Sequence, residues 1–128
     1  MKKNNSFRYP KTQRESVNGK RHYVFDKEKL PSVTTILDIT QPAEKRESLA
    51  AWRLRVGEDS AARIMEESAA RGTAMHKILE KYVLEEGYVD QTNVGKQAHN
   101  MAIQVIQSGL SNMTEYYGTE CTLYYPGL

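Results

Sequence analysis

The sequence predicts a mixed α/β (α+β) fold: mostly helical, with a small hairpin near its start, a strand near its end and a sheet that these residues leave incomplete. Three observations predict it. Apolar residues recur at helical spacing through much of residues 41–110. Asn18-Gly19 tolerates the positive φ of a tight turn and is followed by the β-favouring run His22-Tyr23-Val24-Phe25. Finally, β-branched and aromatic residues crowd into 119–125, as they do in a strand.

Taken in order, residues 1–15 carry no periodicity and are expected to form a flexible basic arm. Residues 16–128 then form a single domain, because a chain of 128 residues with 39% hydrophobic and 27% charged side chains fits one small core. A hairpin fits 16–25. Lys29-Leu30-Pro31 breaks the chain, and Ser32 stands as N-cap to a short helix through Val33-Thr34-Thr35-Ile36-Leu37. Gln41-Pro42 opens the next helix, with Glu44 and Glu47 near its positive end and Leu49, Trp52 and Val56 on one face. Gly57 interrupts it. A third helix is capped by Asp59 or Ser60, packs through Ala61, Ala62, Ile64, Met65 and Ala69, and stops at Gly72. The next has Met75, Ile78, Leu79, Tyr82 and Val83 at i, i+3, i+4, i+7 and i+8 and ends at Glu86-Gly87. A last helix over 94–110 aligns Ala98, Met101, Ala102, Val105 and Ile106. Gly118 leads into the strand, and Pro126-Gly127 announces a turn.

Composition narrows the function classes. The longest apolar runs are far short of the roughly 20 residues of a membrane-spanning helix, and the basic start leads into no signal core, so a cytoplasmic protein without a membrane partner is expected. One cysteine, Cys121, excludes an internal disulfide and reads as a buried thiol. The net charge of +2 is uneven: residues 1–29 hold nine Lys/Arg against three Asp/Glu, while 30–86 and 87–128 are each −2. A basic leader suits a polyanion, since Lys and Arg release counterions from phosphates; basic N-termini are also common in proteins that bind nothing.

The segment that carries the most chemistry is Arg71-Gly72-Thr73-Ala74-Met75-His76-Lys77-Ile78-Leu79-Glu80. Gly72 keeps no side chain in the way of a neighbour, and Glu80 follows His76 by one turn. The imidazole could ligate a divalent cation with Glu80 orienting it; the same spacing describes a solvated ion pair, which is its commoner use. Trp52 beside Arg53 and Arg55 could stack on a single strand of nucleic acid, although Trp52 also falls on an apolar stripe.

Read together, Leu30-Pro31-Ser32-Val33-Thr34-Thr35-Ile36-Leu37, Ala51-Trp52-Arg53-Leu54-Arg55-Val56-Gly57, Ala61-Ala62-Arg63-Ile64 and Arg71-Gly72-Thr73-Ala74-Met75-His76 resemble phage-borne exonucleases of the PD-(D/E)XK superfamily. The likeness is to the RecB-like branch that includes the mitochondrial genome maintenance exonuclease, and Gly19-Lys20-Arg21-His22-Tyr23 is similar to its lead-in. The resemblance implies a Mg²⁺- or Mn²⁺-dependent deoxyribonuclease whose sheet is flanked by helices, acting on DNA, single-stranded or at ends, in a bacterial host's cytoplasm if phage-encoded. By the same likeness His76 reaches the cation, with Gly72 and Glu80 behind it and Glu120 a weaker candidate ligand. Lys20, Arg21, Arg53, Arg55, Arg63, Arg71 and Lys77 would meet the DNA. The family's carboxylates hold a metal that polarises the phosphate and helps generate hydroxide, and a lysine steadies the developing charge.

The departure from the family is as informative. Residues 120–125 resemble the strand that precedes the catalytic Asp, and the sequence stops before that Asp and the Asp/Glu-x-Lys pair. The expectation is therefore a truncated nuclease-like domain, inactive alone, with a second polypeptide as one possible source of the missing strands, docked on the edge of 118–125. The competing reading is a helical module that binds nucleic acid or a partner without catalysis, and the blandest is an adaptor with no nucleic-acid role.

Overall fold

A computed structural model describes residues 1–125, and the turn expected at Pro126-Gly127 lies outside them. The fold is mixed α/β, with four helices and two small sheets among the described residues. The chain divides into two compact units. No helix among the described residues is long and apolar enough to cross a membrane.

One unit holds residues 8–55 with those from 121 onward. Its sheet is a three-stranded antiparallel meander of β2 (Gln13–Val17), β3 (Lys20–Phe25) and β4 (Glu28–Pro31). The expected hairpin is present, with Asn18 at φ 53° and Gly19 at φ 76° in the two-residue turn and Val17 opposite Lys20. Both central residues have positive φ, the geometry whose twist matches that of the strands it joins. A second turn of the same kind falls on Asp26 (φ 47°) and Lys27 (φ 68°), setting Phe25 opposite Glu28. Residues 29–31, expected to break the chain, instead complete β4.

Helix α1 (Val33–Thr40) starts where expected: Ser32 Oγ accepts from the Thr35 N–H at 3.1 Å. The Arg21 carbonyl accepts from Ser32 N–H at 3.1 Å and from Thr35 Oγ1 at 3.0 Å, which ties the helix start to β3. Arg46 Nη2 donates to the Asp38 carbonyl at 2.5 Å, satisfying an end carbonyl of α1. Helix α2 (Ala43–Val56) buries none of its residues: Leu49 is 44% and Leu54 86% exposed. Of the expected stripe, Trp52 and Val56 are half-buried and Leu49 is exposed.

The other unit holds Met1–Phe7 and Val56–Glu120. Helix α3 (Glu58–Val83) follows Gly57, whose φ of 87° ends α2, and no side chain of Asp59 or Ser60 caps it. It runs unbroken through Gly72, where a stop was expected. A glycine in a helix costs only about 1 kcal/mol, and strong helix formers such as Ala69, Ala70 and Ala74 surround this one. Helix α4 (Asn93–Ser108) packs against α3 and continues into a 3-10 turn, Leu110–Asn112. Ala98 and Ala102, both fully buried, let α4 approach Ile78, with Ala74, Met75, Leu79 and Tyr88 around them. Of the small-residue face expected on α3, only Ala61 is buried; Ile64 and Met65 stay 39% and 47% exposed.

Strand β1 (Lys2–Lys3) pairs in parallel with β5 (Glu115–Tyr116), at the start of the segment expected to be a loose arm. Lys2 N–H donates to the Thr114 carbonyl at 2.9 Å and Asn4 N–H to that of Tyr116 at 2.7 Å. The Met1 amino group pairs with the Glu85 carboxylate, and the Met1 side chain is 5% exposed. Phe7 and Tyr117 rings lie 5.4 Å apart. The strand expected over 119–125 is absent. Those residues form no ladder, and Glu120 at φ 50° leaves the extended region a strand requires. Glu120 is thus not a strand residue, and no strand edge runs along 118–125. Cys121 is half-buried rather than enclosed.

Candidate functional site

In the α3–α4 unit, a cleft of about 310 Å³ is lined by His76, Leu79, Glu80 and Val83 from α3, by Val105 and Leu110, and by Thr119 and Glu120. The i, i+3, i+4 and i+7 spacing of the four α3 residues puts them on one helix face, so the polar His76 and Glu80 share a wall with Leu79 and Val83. Thr119 and Glu120 come from the irregular segment after β5. Thr119 Oγ1 donates to Glu80 Oε1 at 3.5 Å, tying that segment to the helix across 39 residues. His76 and Glu120 are exposed and Glu80 is half-buried. The left-handed backbone of Glu120 is uncommon for a residue other than glycine, asparagine or aspartate, and such conformations gather at functional sites.

The three side chains that the sequence marks for metal chemistry, His76, Glu80 and Glu120, therefore line one cleft. They do not form a ligand set: among the described residues no three His, Cys, Asp or Glu side chains come close enough to hold a metal ion. Mg²⁺ takes a near-octahedral shell of oxygen ligands, and these residues alone do not fit it. A Cβ at Gly72 would meet nothing within 4 Å, so no neighbouring group presses on that position.

The basic residues expected to meet DNA are divided between the units: Lys20, Arg21, Arg53 and Arg55 in one, Arg63, Arg71 and Lys77 in the other. Arg71 Nη1 donates to Gln97 Oε1 at 3.4 Å, and Lys77 Nζ sits 5.1 Å from the centre of the Tyr88 ring. Both are thus engaged within their own unit.

One constellation was not foreseen from the sequence. The Asp90 carboxylate accepts from Thr92 N–H at 3.0 Å and Thr92 Oγ1 at 2.7 Å, while Thr92 Oγ1 accepts from Gly95 N–H at 3.0 Å and caps α4. Asp90 N–H donates to His99 Nε2 at 3.0 Å. The Thr92 hydrogen bonds hold the Asp90 carboxyl below its usual range, with lesser help from His99 and Lys77. A threonine ahead of a helical pattern was the available signal; the His99 contact had none.

The fold and the cleft define a mixed α/β protein whose helical unit opens a half-polar cleft on α3. No family model matches the sequence, and neither a curated protein nor a solved structure matches it.

Proposed function

We propose that this chain is the N-terminal segment of a metal-dependent DNA exonuclease and supplies one wall of its site without hydrolysing DNA by itself. The observation that carries this reading is the meeting of His76, Glu80 and Glu120 on one cleft, two from a single helix turn and one from 40 residues further along. The resemblance of the segment around His76 to the RecB-like nucleases supports it. These three groups do not complete a cation's shell among the described residues, so on this reading water, the DNA phosphate or a further polypeptide supplies the remaining oxygen ligands. What the residues here contribute is an exposed imidazole, a carboxylate braced by Thr119, and an apolar floor beneath them.

The test is a Mn²⁺ titration of the purified chain followed by NMR line broadening. Signals of His76, Glu80 and Glu120 should broaden first, at Mn²⁺ concentrations on the order of millimolar, as weak incomplete sites require, and His76→Ala should abolish the preference. Broadening spread evenly over the surface carboxylates would overturn the reading. In parallel, labelled DNA should survive Mg²⁺ and Mn²⁺; degradation that His76→Ala removes would show the ligand set to be complete within these residues.

A further inference from the structure

We propose that one face of the β2–β3–β4 sheet binds a single-stranded polynucleotide, with its phosphates on Arg14 and Arg21 and a base stacked on Tyr124. This surface lies in the other unit from the cleft and uses none of its residues; it shares only Arg21 with the residues that the nuclease likeness sends to DNA, and metal-free binding here is tested apart from the cleft.

The register assigns the faces. Side chains alternate along a strand, and Arg14 pairs with Tyr23, Ser16 with Arg21, Tyr23 with Leu30 and Phe25 with Glu28. Arg14, Arg21, Tyr23 and Phe25 therefore share a face. On the opposite face Lys29 reaches Glu15 at 3.2 Å, so part of its charge is paired within the sheet. On the first face neither arginine makes an ion pair among the described residues, both are exposed, and Glu28 is its one acid on the strands.

Rigidity and stacking complete the surface. The Arg21 carbonyl holds two hydrogen bonds from the start of α1, which fixes that end of β3. At the other end the Tyr124 ring packs on Phe25, centroids 4.2 Å apart and planes 36° from parallel, while Tyr124 remains 45% and Tyr125 72% exposed. Thr122 meets Thr12 at 3.4 Å, which seats this segment along the sheet. Arg21 and Phe25 lie four residues apart, about 13 Å, which separates the phosphate-binding end of the surface from its stacking end.

The ligand's class follows from charge and shape. The face carries Arg14 and Arg21 against Glu28, a net positive charge that suits a phosphate chain. A ring half open to solvent can take the face of a base only if that base is unpaired, which selects a single strand over a duplex.

The test is fluorescence anisotropy of the full chain with labelled oligo(dT), oligo(U) and a blunt duplex, in EDTA, across a salt series. Both single strands should bind more tightly than the duplex, and a preference between them would assign the ligand as DNA or RNA. Tyr124→Ala should weaken binding roughly 5- to 150-fold, the range of one base–aromatic stack, and Tyr124→Phe should restore it. Arg14→Ser with Arg21→Ser should lower the salt slope by about 1.4, or roughly 0.7 for each phosphate that the two guanidinium groups no longer neutralise. Failure of the chain to bind at low salt would overturn the proposal. So would equal affinity for duplex, or indifference to these variants with sensitivity to Arg63→Ser and Arg71→Ser instead.

Discussion

Two glycines on neighbouring helices should respond to alanine with opposite signs. At Gly95 an added Cβ would stand 2.2 Å from Asp90 Cγ, 2.3 Å from its Oδ1 and 2.5 Å from its carbonyl oxygen, against ordinary carbon contacts of about 3.5–4.0 Å. Asp90 cannot swing aside freely, since its carboxylate holds Thr92 and its N–H holds His99. Overpacking costs about 1–3 kcal/mol, and the Asp90–Thr92 hydrogen bonds are loosened besides. Helix propensity returns about 1 kcal/mol, leaving a net loss of up to about 2 kcal/mol. For a unit of about 70 residues that lowers Tm by up to roughly 16 °C. Gly72, with nothing within 4 Å of the same added atom, should gain about 0.5–1 kcal/mol on becoming alanine. Thermal and urea unfolding of both variants, followed by far-ultraviolet circular dichroism, measures the pair. Asp90→Ala in the Gly95→Ala background should recover part of the loss, because only the carbonyl contact remains. A Gly95→Ala protein as stable as the parent, or two variants shifting in the same direction, would refute the reasoning.

Removing the acceptor of the Asp90 amide by His99→Ala should cost about 1–2 kcal/mol and speed hydrogen exchange at Asp90, read by NMR. The Asp90 carboxyl is depressed from its usual 3.8 by Thr92; its stabilising effect is full above that value and fades as pH falls through the lower folded value, so Asp90→Asn should flatten the acid limb of a Tm–pH curve. Glu85 behaves alike: its hydrogen bond and charge contact with the Met1 amino group depress it from 4.5, so the Tm gap between the parent and Glu85→Gln should narrow as pH falls below 4.5 and close once it has passed the lower folded value. An acidic substitution on the open face of α2, Leu54→Glu, should leave the unfolding free energy, measured in urea, within about 0.5 kcal/mol of the parent, since that side chain is 86% exposed.

Local rules carried much of the fold. Asn18-Gly19, the Ser32 cap and the break at Gly57 each act within a few residues, and each is where the sequence put it. The Asp26-Lys27 turn was harder to read because Asp26 favours positive φ but Lys27, which also adopts it, does not. Gly72 misled because its cost in a helix is smaller than the gain of continuing one packed face, Ile78 against Ala98 and Ala102. The 119–125 run had strand composition but pairs with no strand among the described residues, and composition without a ladder does not make a strand. The cleft was half legible: His76 and Glu80 follow from helical spacing, whereas Thr119 and Glu120 reach it through a backbone bend that no pattern encodes.

The pairing of Lys2–Lys3 with Glu115–Tyr116 sets an order of events during synthesis. The β2–β3–β4 meander is wholly local and can close in microseconds once its residues are free. Met1–Phe7 belongs to a unit whose other residues begin at Val56, and its pairing partner is translated more than 110 residues later. At about 5–20 residues per second the first strand waits some 6–20 s, its Met1 side chain in water, before Glu115 and Tyr116 are made. The first strand made is thus one of the last to be paired, and nascent chains that have not yet reached Tyr116 should expose the N-terminus to proteases.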